Sequence, residues 1–158
     1  MEAKKKLLIF KIKSMNYDYQ QTSFSKAVLT GLFAGLMATL ACLAYDFFYR
    51  LNTGFTMSAI INVPSIIIVC HILLLVCGMV YFVFKNRIKQ GSILFIVLLV
   101  VLTVFLVVKA EGVERSPIHQ LTVQFRGLLL GMTVIIGLCA SFLIPYLSGN
   151  KKFEENVL

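Results

Sequence analysis

Charged residues are scarce in this chain, and their scarcity decides its class. They make up 14% of the 158 residues, whereas soluble domains carry roughly a quarter. Hydrophobic residues make up 59%, which is more apolar surface than a soluble fold of this size can bury. The composition therefore excludes an ordinary soluble domain and indicates a protein that lies in lipid.

Charge is missing above all from four long apolar blocks. They predict transmembrane helices over about residues 27–48, 63–84, 92–108 and 123–147. Each block approaches or exceeds the ~18 to 20 residues with which a helix crosses ~30 Å of hydrocarbon. We therefore expect an all-α integral membrane fold, a four-transmembrane-helix antiparallel bundle. It forms a single membrane domain over residues 1–158, with a basic N-terminal segment at 1–26 and a tail at 148–158.

The basic residues lie mostly on one side of these predicted spans. Eleven of the fifteen flank the N-terminal side of span one, the loop between spans two and three, and the C-terminal side of span four. By the positive-inside rule, both termini are predicted to be cytoplasmic. The short loops and the lysine bias favour a bacterial inner membrane. The net charge of +8 thus indicates an orientation in the lipid bilayer, and we expect no nucleic-acid partner.

Catalytic signatures are also missing. The sequence has no GxSxG, no HExxH, no phosphate loop and no pair of carboxylates in one span. All four cysteines fall inside predicted spans and form no CxxC pair, so we expect them to be packing residues. We expect neither an enzyme nor a metal site.

Small residues recur at helical spacing in spans one and four. Gly31 and Gly35 share one face of span one, and Gly127 and Gly131 share one face of span four. Such faces allow a second backbone to approach closely. We expect spans one and four to pack against each other, although either groove also suits a helix from another subunit.

Five polar residues inside or beside the spans are candidate site residues. An ionisable group at membrane depth needs a partner or a path to water. Asp46 and Arg50 have the spacing of an ion pair, and His71 lies ~12 Å into span two. Gln124 and Arg126 lead into the glycine face of span four. Together they suggest an outward-facing polar pocket, and the alternative is that these groups only satisfy one another.

Histidines are the obvious ligands for a cofactor in a helical bundle, and the chain has two. Haem held between two histidines requires both His71 and His119, which differ in predicted depth by more than one helical turn. We therefore expect no cofactor, with haem or quinone near His71 as a minor alternative.

These features leave three functions open. The first is a non-catalytic accessory or structural subunit of a larger membrane complex, which binds other subunits or its own copies through small-residue helix faces. The second is a small oligomeric transporter or channel with Asp46 and His71 as proton-linked groups. The third is a membrane anchor that binds haem or quinone.

Overall fold

The computed structural model describes residues 22–56, 60–114, 117–150 and 153, and all regular structure in these residues is helical. Four stretches are long and apolar enough to cross a membrane, so the predicted class of helical membrane protein is confirmed. Most of the predicted segments 1–26 and 148–158 lies outside the described residues. The helices are α1 (Ser23–Thr53), α2 (Val63–Arg87), α3 (Gly91–Glu111), α4 (His119–Leu138) and α5 (Ile144–Gly149), with a π-helical turn (Cys139–Leu143) between the last two.

The helices run past the apolar blocks that predicted them. Apolar patterning ends at the first charged residue, whereas a helix ends where its last carbonyls find other partners. In α1 that point is Gly54, which has a φ of 65° and donates its N–H to the Arg50 carbonyl at 2.9 Å. A left-handed residue after the last turn is a common helix stop and favours glycine. The start of α2 is set by Asn62, whose side chain accepts a bond from the Ser65 N–H at 2.9 Å.

Helices α1 and α2 pack backbone against backbone. A Cβ atom added to Gly78 would lie 2.7 Å from the Ala27 carbonyl oxygen, and one added to Gly31 would lie 2.8 Å from that of Leu74. Further along, Gly35 faces the backbone of His71. The centre of this contact therefore has no room for side chains. The small residues of α1 allow the backbone of α2 to approach this closely.

The last span changes its helical register before Pro145. Proline has no N–H to donate, so a kink or an early end is expected here. The π-helical turn inserts an extra residue per turn at this point, and the chain continues as α5. The turn also holds Ser141, whose hydroxyl is the buried side-chain polar atom without a hydrogen-bond partner among the described residues.

Candidate functional site

The ion pair predicted between Asp46 and Arg50 lies at one end of the bundle and organises the loop after α1. Arg50 Nε donates to both carboxylate oxygens of Asp46, at 2.8 and 2.9 Å. Its two terminal nitrogens donate to the carbonyl oxygens of Thr56 at 2.8 Å and of Ile61 at 3.0 Å. The Arg50 guanidinium also lies over the ring of Phe55, at 5.5 Å. One partly buried cation thus joins α1 to the loop that leads into α2.

Gln124 lies near the same end but has a different partner. Its side-chain nitrogen donates to the Thr53 carbonyl oxygen at 3.0 Å, which satisfies an acceptor in the last turn of α1. Gln124 therefore connects the beginning of α4 to the end of α1. Arg126, two residues later, donates to the Val113 carbonyl at 2.7 Å and lies 3.9 Å from the exposed carboxylate of Glu114.

His71 faces α1 and is partly exposed. Its Nδ1 lies 2.8 Å from the Ile67 carbonyl oxygen and 3.3 Å from the Thr39 hydroxyl oxygen. Thr39 already donates its own hydrogen to the Gly35 carbonyl at 2.7 Å. Both neighbours of Nδ1 are therefore acceptors, which places a ring proton on Nδ1 and makes His71 a donor to them.

The structure thus separates the five candidate residues into four small networks. Asp46 and Arg50 form one, while Gln124, Arg126 and His71 each bond elsewhere. Within the described residues, no direct side-chain hydrogen bond or ion pair joins Gln124, Arg126 or His71 to one another or to the Asp46–Arg50 pair. Nor do these residues include any group of three or more histidine, cysteine or acidic side chains placed to hold a metal ion.

The glycines of spans one and four meet different partners from those expected. The groove of Gly31 and Gly35 is filled by α2, as described above, and not by α4. The groove of α4 receives two tyrosine rings from α1 instead: Tyr49 lies on Gly127 and Tyr45 lies on Gly131. Spans one and four do contact each other, but through aromatic rings set into glycines. The two glycine faces therefore do not pack against each other.

The tyrosines also bond to the backbone of α4. The Tyr45 hydroxyl donates to the Gly127 carbonyl at 3.0 Å, and the Tyr49 hydroxyl donates to the Gln124 carbonyl at 2.9 Å. The sequence does contain the signal for this contact. Tyr45 and Tyr49 are four residues apart, as are Gly127 and Gly131, so a large pair matches a small pair. We did not predict this match from the sequence.

A larger feature that the sequence analysis missed is an apolar cleft between α2 and α3, with a volume of about 760 Å³. We call it the α2–α3 cleft. Its walls include Leu73 and Val76 of α2 and Leu102 of α3, and its floor includes Met132 and Gly137 of α4. No charged residue lines it.

The threonine side chains of the cleft bond to their own helices. The Thr103 hydroxyl donates to the Leu99 carbonyl and the Thr133 hydroxyl donates to the Leu129 carbonyl, each at 2.8 Å. Three of the four cysteines, Cys42, Cys70 and Cys77, also line the cleft. The surface it offers is therefore hydrocarbon and sulfur, which suits an apolar occupant.

Comparison with protein families, with curated proteins and with solved structures gives no match for this chain. The class of this protein therefore rests on its fold. It is a helical integral membrane protein with four helices that are long and apolar enough to span a membrane.

Proposed function

We propose that this chain is a non-catalytic accessory subunit of a membrane complex, and that it binds a transmembrane helix of a partner protein in the α2–α3 cleft. The cleft is the observation that carries this proposal. No charged residue lines it, and it runs alongside α2 from Ser65 to Cys77. The twelve residue steps of helix between them rise ~18 Å, which is more than half the thickness of the hydrocarbon core.

The chemistry of the cleft favours a helix as its occupant. Helices associate in lipid through close packing against small or short side chains, because lipid tails are as apolar as leucine and provide no hydrophobic driving force. Gly137 in the lining is partly exposed, with the Thr103 side chain over it, while Cys42 and Ala140 are buried. The absence of charged groups in the lining means that the partner segment is apolar as well.

The polar networks support a non-catalytic function. Asp46 and Arg50 are engaged with each other and with the loop after α1, Gln124 bonds to the end of α1, and His71 bonds within the bundle. Each of these side chains is already bonded to a nearby part of the protein. A proton-linked transporter, by contrast, needs acidic or histidine groups that exchange protons along a path.

The proposed topology is an antiparallel bundle with both termini in the cytoplasm of a bacterial inner membrane. Two observations support it. The beginning of α1 lies beside the end of α2, where the Phe24 and Phe82 rings are 5.7 Å apart. The described residues at that end of the bundle carry Lys26, Lys85 and further basic side chains, whereas Asp46 and its ion pair lie at the opposite end.

Site-specific photocrosslinking in native membranes tests the partner proposal. A photoreactive phenylalanine analogue replaces Leu102, which lines the cleft, or its neighbour Val101, which does not line it and is 63% exposed. We expect one membrane protein to crosslink from position 102 and not from position 101. The bulky substitution Leu102→Trp, which narrows the cleft, is expected to abolish copurification of that same protein.

Other products of the crosslinking contradict the proposal. Lipid adducts alone from both positions mean that the cleft is a lipid-facing surface. Adducts to a second copy of this chain from position 102 indicate a homo-oligomer, and they favour the small oligomeric transporter or channel.

A further inference from the structure

One end of the α2–α3 cleft is formed by the loop after α1. Ile60 and Ile61 line the cleft next to Ser65 and Ile66, which lie in the first turn of α2. All lining residues except these two loop isoleucines belong to helices or to the π-helical turn. We call Ile60 and Ile61 the end wall of the cleft. A helix holds its own side chains in place, whereas the position of the end wall depends on the groups to which the loop is bonded.

The side chain of Arg50 bonds to this loop at two places. Its terminal nitrogens donate to the Thr56 carbonyl at 2.8 Å and to the Ile61 carbonyl at 3.0 Å, and a longer bond of 3.5 Å reaches the Phe55 carbonyl. Hydrogen bonds from a charged donor are stronger than those between neutral groups. Because Ile61 belongs to the end wall, Arg50 acts directly on the cleft although it does not line it.

The geometry of this contact requires an arginine. A guanidinium is planar and directs its N–H groups along fixed directions, so it bonds to a carboxylate and to separate carbonyls at the same time. Asp46 accepts from Nε through both of its oxygens and thereby orients the guanidinium. A lysine at position 50 keeps a positive charge beside Asp46, but it has one nitrogen in place of three. The substitution Arg50→Lys therefore separates charge pairing from positioning of the loop.

Two cysteines pack in the same buried cluster as the end wall. Ile61 and Phe55 share this apolar cluster with Cys42 and Cys70, whose exposed fractions are 0% and 1%. Both cysteines also line the cleft. A shift of Ile61 is therefore expected to expose their thiols from the cleft side. The two native thiols report the position of the end wall without an added label.

We propose that Arg50 is a positioning residue for the α2–α3 cleft. Its bonds to Ile61 and to the beginning of the loop fix the end wall, and with it the surface that the partner helix contacts at the Asp46 end of the cleft. Ionisable groups at membrane depth are costly and mark functional places, and this one gives the Asp46–Arg50 pair a function. The assignment deepens the proposed function and rests on it, because the end wall is part of the same partner site.

The reactivity of the native thiols tests the positioning without any partner. The full chain in detergent micelles is treated with N-ethylmaleimide, and mass spectrometry follows the labelling rate of each cysteine. We expect Arg50→Lys to raise the rates of Cys42 and Cys70 at least about fivefold, because local opening of the loop exposes them. Cys139 lies in the π-helical turn and does not line the cleft, and its rate is expected to change less than about twofold.

The matched control is Arg126→Lys. Arg126 also donates to a loop carbonyl, that of Val113, and neither residue lines the cleft. We expect this variant to leave the rates of Cys42 and Cys70 within about twofold, since it leaves the end wall bonded to Arg50. If Arg50→Lys is not recovered folded, Asp46→Asn replaces it. That variant weakens the group that orients Arg50, and we expect a rise in both rates of at least about twofold.

Photocrosslinking from both ends of the cleft tests the effect on the partner. The photoreactive phenylalanine analogue replaces Ile60 in the end wall or Val76 near the other end of the cleft. In native membranes we expect both positions to crosslink the protein that position 102 captures. With Arg50→Lys, we expect the yield from position 60 to fall at least about fivefold and the yield from position 76 to change less than about twofold, because only the end wall is displaced. Loss of the whole fold would lower both yields alike.

The two measurements fail in different ways. Unchanged labelling of Cys42 and Cys70 in Arg50→Lys overturns the positioning role, and so does an equal rise at Cys139 or in the Arg126 control. Equal loss of crosslinking from positions 60 and 76 overturns it as well. If no protein crosslinks to the unaltered chain from any position, the proposed function is wrong, and the role of Arg50 in a partner site falls with it. A rise in thiol labelling in that case still shows that Arg50 holds the end wall, so the two failures are distinguishable.

Discussion

Helices α1 and α3 are opposites in composition and in burial. Among the four candidate spans, α1 is the least apolar and the most buried. In its most apolar 18-residue stretch, 44% of the residues are buried inside the molecule. Helix α3 is the most apolar and the least buried, at 17%. In a soluble protein the order is reversed, because water drives the most apolar helix inward.

The difference shows which forces hold this bundle together. Lipid is as good a solvent for leucine and valine as a protein interior, so a helix made of them gains little by moving inside. Glycines that allow close approach, and polar groups that need partners, are what bring a helix into the centre. Helix α1 has both, in Gly31 and Gly35 and in Asp46 and Arg50. Helix α3 has almost neither.

Breaking the ion pair of α1 is the test of this contrast with the largest expected effect on stability. Arg50→Met leaves the Asp46 carboxylate, whose side chain is 9% exposed, without its cation. We expect a loss of ~3 to 5 kcal/mol in the free energy of unfolding, measured in detergent micelles, because an uncompensated buried charge is costly. Adding Asp46→Leu is expected to recover most of the loss. A loss below about 1 kcal/mol in the single variant contradicts a buried pair.

The backbone contact between α1 and α2 is the second test. Gly78→Ala places a methyl group 2.7 Å from the Ala27 carbonyl oxygen, and neither backbone can yield without shifting its helix. We expect a cost of ~1 to 3 kcal/mol in the same unfolding measurement. Gly149→Ala is the matched control, since open space surrounds Gly149, and its expected change is below about 0.5 kcal/mol. Similar values for the two variants would show that α1 and α2 are not in backbone contact.

The tyrosine contact between α1 and α4 is the third and smaller test. Tyr45→Phe keeps the ring on Gly131 but removes the bond to the Gly127 carbonyl. We expect a loss of ~0.5 to 1.5 kcal/mol, the usual net value of one hydrogen bond. Tyr146→Phe, at a position that is 66% exposed, controls for loss of a phenol hydroxyl and is expected to be neutral. An equally large effect at both positions would contradict a specific bond at Tyr45.

The smallest expected effect is on α3. Val101→Ala alters a side chain that is 63% exposed, and lipid or detergent fills the space it leaves. We expect the unfolding free energy of the isolated protein to change by less than about 0.5 kcal/mol. A loss above about 1 kcal/mol would mean that Val101 is covered in the isolated protein, and it would break the contrast with α1.

Prediction from sequence succeeded for properties that depend on long averages along the chain. Four apolar blocks were enough to predict four membrane helices, because a span averages over about twenty residues. Asp46 and Arg50 were predicted to pair from their spacing of four, and the structure contains that pair. Such a pair depends only on the geometry of one helix.

Prediction was weaker wherever two helices had to be matched. Gly31, Gly35, Gly127 and Gly131 were identified as contact residues, but their partners were assigned to each other. A glycine face indicates that another part of the protein approaches closely, but it does not identify that part. The Tyr45 ring on Gly131 could have been found by pairing large with small positions four residues apart. The α2–α3 cleft had no local signal, since it is a space that packing leaves open.

Sequence alone determined that this protein is helical and lies in a membrane, because apolar runs of span length have few other stable solutions in lipid. Only the tertiary structure decided that α1 is central and α3 peripheral, that two tyrosines dock on α4, and that an apolar cleft lies between α2 and α3. These outcomes depend on which surfaces meet. Contacts between distant segments are set by the shape of the whole bundle, and no single segment encodes them.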